Sequence, residues 1–158
     1  MNLLFVCTHN RCRSILAEAI TNQLARNRIT AQSAGSSPAD EVHPLSLSFL
    51  QTRGFENEGL SSQSWHDFEP FEADAIITMC DKAAAETCPV WFGNSVRVHW
   101  GLTDPSKGSV NKQKQAAQFN RTIDIIENRV QKLLDTNMDL LSGDHLRLGL
   151  QGLAATIY

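Results

Sequence analysis

No stretch of this sequence approaches the ~18 consecutive apolar residues of a membrane span, and Met1-Asn2-Leu3-Leu4-Phe5-Val6 has neither the basic start nor the long apolar core of a signal peptide. The expectation is a cytoplasmic protein with no membrane partner. A surplus of positive charge is missing too: the formal net charge is -3, which gives no footing for a nucleic-acid partner and makes any anion site a local feature. Internal repeats and low-complexity linkers are absent. A chain of 158 residues then suits one domain able to bury a substantial core.

Cysteine is sparse but unevenly spent, as Cys7, Cys12, Cys80 and Cys88. In a secreted protein they would read as two disulfides, but nothing marks this chain as secreted. In a reducing compartment, cysteines are more often catalytic, metal-binding or redox-active. A zinc site is disfavoured, because Cys80 and Cys88 are widely spaced and the nearest histidine, His99, lies across a strand. No metal and no cofactor are expected.

The apolar run Leu3 to Val6 reads as a buried strand, and Ser14 to about Asn27 as a helix with Ile15, Ala19, Ile20 and Leu24 on one face. Ile29 to Ser33 is a short strand ended by Ala34-Gly35-Ser36-Ser37-Pro38. Pro44 to about Arg53 is a second helix, closed at Gly54. Between Glu58 and Phe71, Trp65 and Phe68 are the expected anchors. Ala73 to Met79 forms a third strand and delivers Cys80 to its carboxyl end; Val96 to Trp100 forms a fourth. From Lys112 to Leu134, the positions Ala116, Phe119, Ile123, Ile126, Val130, Leu133 and Leu134 make an apolar helical stripe. Alternating strands and helices imply an α/β sandwich around a mostly parallel sheet, with ligands gathered beyond the carboxyl ends of its strands. The expected division is a domain over residues 1–135 and a helical tail over 136–158, with apolar positions at Leu140, Leu141, Leu146, Leu148 and Leu150.

Cys7-Thr8-His9-Asn10-Arg11-Cys12-Arg13-Ser14 sits where the first strand gives way to the first helix. Such a loop points several backbone N–H groups at one spot, and the helix dipole adds partial positive charge there. Arg13 can curl back and grip two oxygens with its planar fork, above a thiol at the floor. The same field favours the nucleophilic thiolate of Cys7; Ser14 can hydrogen-bond it, and Asn10 can hold the loop's shape. The bland alternative is a buried cysteine beside a basic helix start.

This loop, Ser33-Ala34-Gly35 and Asp104-Pro105 together resemble the low-molecular-weight protein tyrosine phosphatase superfamily over roughly Asn2 to Leu134. The resemblance implies a three-layer sandwich with a four-stranded sheet. It also implies that Cys7 is the nucleophile, Arg13 the oxyanion ligand and Asp104 the general acid, with Thr8, His9, Asn10, Arg11, Cys12, Arg13 and Ser14 around the oxyanion. A departing oxygen leaves more easily when it receives a proton, so the carboxylate makes chemical sense, although Asp-Pro also suits a simple turn cap.

Thr78-Met79-Cys80 through Cys88-Pro89, and His99-Trp100-Gly101-Leu102-Thr103-Asp104-Pro105, look like the thioredoxin-coupled arsenate reductase branch. A phosphatase has no evident use for Cys80 and Cys88; a reductase does. The implied relay runs from Cys7 to Cys80 to Cys88, and an external dithiol, thioredoxin or glutaredoxin with glutathione, recharges it. The spacer Asp81 to Thr87 holds the helix-prone Ala83-Ala84-Ala85 and must loosen for the last pairing, since bonded cysteines need Cα atoms within about 7 Å. A phosphotyrosine slot needs aromatic walls, yet Ser106-Lys107-Gly108 stands where the family carries tyrosines. The one tyrosine is Tyr158, which leaves Trp65 or Trp91 as possible rings.

Three features depart from that branch. His9 and Arg11 replace small loop residues, pointing to solvent or adding positive charge at the mouth. The Cys80 to Cys88 spacing is one residue longer than the branch pattern. Of the potassium ligands known in some members, Asn10, Glu18 and Ser33 match, but His66, or a displaced Asp67, stands in the acidic position. His43, His66, His99 and His145 are expected in structural or surface roles, with His99 fixing the loop that carries Asp104. A phosphatase acting on phosphotyrosine or small phosphomonoesters, and a non-catalytic oxyanion or redox sensor, stay open beside the arsenate reductase.

Overall fold

The computed structural model describes residues 1–87, 89–108 and 111–156, with only the backbone of Trp91. Cys88 and Tyr158 lie outside the described residues. The sheet has four strands, β1 (Asn2–Cys7), β2 (Thr30–Gly35), β3 (Ala75–Thr78) and β4 (Val96–His99), in the order β2-β1-β3-β4, and every pairing is parallel. β1 is central, so Leu3, Leu4, Phe5 and Val6 are all fully buried, which is why that segment is uniformly apolar rather than alternating. β2 passes its expected end at Ser33. Ala34 and Gly35 continue the ladder opposite Val6 and Cys7, and Gly35 also bridges to Ser64.

Among the described residues, five α-helices surround the sheet: α1 (Arg13–Leu24), α2 (Pro44–Thr52), α3 (Asp81–Ala85), α4 (Lys112–Asp135) and α5 (Gly143–Ala155). α1 stops before Asn27, which adopts a left-handed conformation at φ 67°. His43 caps α2, its Nδ1 accepting from the Leu45 amide at 3.1 Å. A 3-10 helix, Trp65–Phe71, buries Trp65 and Phe68 as anchors; Trp65 meets Phe92 edge-on, with ring centroids 5.7 Å apart. No described helix is long and apolar enough to cross a membrane.

In the last segment, Leu146, Leu150 and Leu153 of α5 join the same core as β1 and α4, while Leu140, Leu141 and Leu148 are exposed. Trp100 Nε1 donates to the Leu150 carbonyl at 2.8 Å. Arg129 of α4 donates to the carbonyls of Trp100 and Ala154, and its guanidinium lies 5.4 Å from the Trp100 ring. α4, α5 and the end of β4 are thereby tied together.

Candidate active site

Cys7 ends β1, Cys80 follows β3, and Asp104 lies in the loop after β4, so all sit beyond the carboxyl edge of one parallel sheet. The chain runs from β1 outward to β2 and then back across to β3. The switch point therefore falls between β1 and β3, where loops diverge and leave a crevice. A cavity of about 350 Å³ opens there, walled by Cys7, Cys80, Arg13 and Asp104 among others. The depression of about 410 Å³ bounded by Glu72, Phe92 and Leu141 contains none of these groups.

The loop from Cys7 to Arg13 is shaped from outside. The carbonyls of Thr8, His9 and Arg11 accept from the amides of Ser37, Ala39 and His43, each at 2.9 Å. A trans peptide holds its C=O and the next N–H on opposite sides. With those carbonyls turned outward, the N–H groups of His9, Asn10 and Cys12 turn the other way, into the loop. Asn10 makes the reversal in a left-handed conformation (φ 43°), which asparagine tolerates better than most residues. Gly35 permits the close approach, since a Cβ there would lie 2.7 Å from the Thr8 carbonyl oxygen.

Asn10 also fixes hydrogen-bond directions. The Gln63 amide can only donate, and it meets Asn10 Oδ1 at 2.7 Å; Asn10 Nδ2 must then face Ser14 Oγ (2.9 Å) and Ser33 Oγ (2.8 Å). Ser14, already accepting, has its own hydrogen left for the Cys7 sulfur 2.9 Å away. Ser33 in turn donates to Glu18 at 2.5 Å. Asn10 thus presents a donor to Ser33, and Ser33 in turn a donor to Glu18, so the three candidate ligands are hydrogen-bonded to one another. His66 stays outside it, donating its amide to Ser64 Oγ.

Arg13 donates to the Leu102 carbonyl at 2.9 Å and to Asp104 Oδ2 at 3.1 Å, while its buried Nε has no partner among the described residues. Asp104 Oδ1 accepts from the amide and hydroxyl of Ser106 at 3.0 and 2.6 Å. One oxygen of this aspartate caps a turn and the other faces the arginine. Burial alone would raise its pKa, but the Ser106 bonds, then Arg13 and Lys107, outweigh burial and hold the carboxyl below its usual range. Arg13 keeps donors beyond these two bonds, its Nε among them, with which it can meet an oxyanion.

Three thiols, Cys7, Cys12 and Cys80, are free and buried, and all line the cavity. They differ in their surroundings. Burial, opposed only in part by Ser46, pushes Cys12 up to about 12, so it stays a neutral thiol at physiological pH. Cys80 caps α3: its sulfur accepts from the Ala83 amide at 3.4 Å and lies 3.5 Å from Thr8 Oγ1. A hydroxyl of the first loop is therefore shared with the second redox candidate.

His9 is exposed, with Nδ1 3.1 Å from the Ser37 carbonyl, and Arg11 is half-buried at the rim. Trp65 does not wall the cavity, because it is committed to the core beside Phe92. Among the described residues lining the cavity there is no phenyl, phenol or indole ring. His99 hydrogen-bonds to Thr78 and Asp81, and its ring also lies against Gly101 in the loop that leads to Asp104, where a Cβ would stand 2.5 Å from Nε2. Sequence reasoning missed Lys82 and the Gln63 amide, and treated Ser106 and Lys107 only as absent tyrosines. The backbone at Gln63 leaves no residue-type signal, whereas Ser two positions after Asp is a recognisable turn cap.

Residues 2–142 match the low molecular weight phosphotyrosine protein phosphatase family. An arsenate reductase of Halalkalibacterium halodurans is 31% identical over 132 residues, covering 84% of this chain and 94% of the relative. A glutaredoxin arsenate reductase of Synechocystis is 28% identical over 108 residues, covering 68% and 81%. Among solved structures, the arsenate reductase of Archaeoglobus fulgidus shares 28% identity at a TM-score of 0.67, covering 84% of this chain and 98% of that one. A thioredoxin-dependent arsenate reductase of Corynebacterium glutamicum shares 28% at 0.66, covering 85% and 60%. The chain belongs to the low-molecular-weight phosphotyrosine protein phosphatase family, in its arsenate reductase branch.

Proposed function

We propose that this protein reduces arsenate to arsenite in the cytoplasm through a relay of Cys7, Cys80 and Cys88. The observation that carries the reading is the second buried thiol, Cys80, in the wall of the cavity that holds Cys7. Phosphoryl transfer needs no such group. The ring-free cavity lining also favours a small inorganic oxyanion over a phosphotyrosine.

Cys7 attacks arsenic in a bound arsenate whose oxygens rest on the loop amides and Arg13. An S–As bond forms, and one oxygen leaves as water with help from a proton on Asp104. Arsenate binding draws Arg13 from Asp104, which removes one of the charges holding that carboxyl low. The thiolate of Cys80 then attacks the sulfur of Cys7. An S–S bond forms, the S–As bond breaks, and its electron pair stays on arsenic, which leaves as arsenite. Cys88 attacks Cys80, releasing Cys7 and creating a Cys80–Cys88 disulfide, and an external dithiol restores both thiols. Thioredoxin and glutaredoxin with glutathione are the donors to compare, since relatives of both kinds exist.

Arsenite should accumulate over many turnovers with NADPH and either the thioredoxin system or glutaredoxin, glutathione and their reductase. Cys7→Ser should abolish turnover, and Cys88→Ser should release about one arsenite per chain and stop. Robust aryl-phosphate hydrolysis without arsenite would assign a phosphatase. Oxyanion binding with neither product would assign a sensor.

A further inference from the structure

His99 bridges two side chains that flank Cys80 in sequence. Its Nδ1 lies 2.9 Å from Thr78 Oγ1 at the end of β3, and its Nε2 lies 3.0 Å from Asp81 Oδ1 in the first turn of α3. The Trp100 amide donates to the Thr78 carbonyl at 2.8 Å and the Leu102 amide to the Met79 carbonyl at 3.1 Å, so the upstream side is a fixed ledge. Downstream, α3 is a helix of 5 residues with exposed Ala84 and Ala85, and the relay reading has it uncoil for Cys88 to pair with Cys80. Asp81 is its one residue tied by a side chain to β4.

Hydrogen-bond chemistry sets the direction of this bridge. A carboxylate only accepts, so Nε2 carries hydrogen and donates to Asp81. Thr78 Oγ1, which meets the other ring nitrogen, also lies 3.4 Å from the Val98 carbonyl oxygen. The space is bounded as well: a Cβ on Gly101 would stand 2.5 Å from His99 Nε2 and 3.3 Å from Asp81 Oδ1.

We propose that His99 is a positioning residue for the second step, pinning Thr78 and Asp81 so that the Cys80 sulfur stays aimed at the first loop while the rest of α3 uncoils. This rests on the relay reading. A thiol held on an uncoiling segment without such a pin would sweep many orientations, and a misplacement of about 1 Å can cost on the order of 100-fold.

The test uses Cys88→Ser protein, which halts after one arsenite, and follows that burst by rapid quench. Inorganic phosphate binding is measured in parallel as a readout of the first loop. His99→Ala in this background should slow arsenite release on the order of 10- to 100-fold and leave phosphate affinity unchanged. Gly101→Ala, which displaces the ring without altering it, should do the same. Asp81→Ala should slow release, and Asp81→Asn, which keeps an acceptor for Nε2–H, should recover most of the rate. Unchanged bursts in His99→Ala and Gly101→Ala, or a parallel loss of phosphate affinity, would overturn the assignment. No arsenite from the Cys88→Ser parent would overturn the relay itself, and the role of His99 with it.

Discussion

At the scale of single residues, the proposed site turns on Arg13, which is paired with Asp104. In the proposed reaction an incoming oxyanion competes with Asp104 for that guanidinium and meets the charge of the carboxylate as well. Asp104→Asn should therefore split binding from chemistry. Phosphate should bind about fivefold tighter, the equivalent of an exposed-to-partly-buried ion pair of about 1 kcal/mol released from competition. Arsenate turnover should fall on the order of 100- to 10,000-fold for want of a proton donor. Calorimetric titration with phosphate beside single-turnover kinetics separates the two, and weaker phosphate binding would mean that Asp104 aligns Arg13 rather than competing for it. Glu18 offers a second test behind the loop. Burial raises its pKa from 4.5 to about 7 against the Ser33 hydrogen bonds. The folded state then holds a proton that the unfolded chain has lost, so this contribution is full below pH 4.5 and disappears as pH rises to about 7. That difference is worth about 3 kcal/mol. Glu18→Gln, which cannot ionise, should be more stable than the parent at pH 8 by up to that amount and indistinguishable near pH 4.5. Urea unfolding at the two pH values decides it, and equal losses in both proteins would remove Glu18 as the cause.

Among the elements, α3 is the one whose weakness is useful. Its Ala83-Ala84-Ala85 run holds it together by propensity, with Ala83 alone of the three buried. Ala84→Gly should loosen it by roughly 1 kcal/mol, and if uncoiling limits the last exchange, Cys80–Cys88 formation should speed up about fivefold. Stopped-flow detection of the disulfide checks this, and an unchanged rate would place the barrier in the sulfur exchange instead. The helix was legible in the sequence because alanine is the strongest helix former, just as β1 was legible from its unbroken apolar run and α4 from its stripe. The grouping was legible where side chains make it: Cys7, Arg13, Cys80 and Asp104 line one cavity, and Ser14 hydrogen-bonds to Cys7. What stayed hidden was done by backbone. The amides of Ser37, Ala39, His43 and Gln63 carry no residue-type signature, yet they hold the first loop in shape. The hydrogen bonds of His99 were hidden for another reason, because a ring at a strand end can serve either neighbouring loop, and only the parallel register of β3 and β4 puts Thr78 opposite it.

For the molecule as a whole, the carboxyl edge of the sheet carries the proposed reacting groups, and the rest of the fold holds that edge in place. α5 lies beyond the family match at residue 142, yet it is bound into the common core rather than laid on it. Its carbonyls at Leu150 and Ala154 take the Trp100 indole and the Arg129 guanidinium, and Trp100 opens the loop whose Leu102 carbonyl receives Arg13. Loss of α5 would strand a buried indole and leave a buried arginine with one of its carbonyl bonds gone, besides exposing Leu146, Leu150 and Leu153. A single core predicts a single transition. Leu150→Ala, at a fully buried position, should cost about 2–5 kcal/mol and shift tryptophan fluorescence and far-ultraviolet circular dichroism to the same lower midpoint. An early loss of helical signal with the tryptophan transition unmoved would mean that residues 136–158 melt as a separate appendage. In that case Arg129 alone, from α4, would have to hold Trp100 and the root of the Asp104 loop in place.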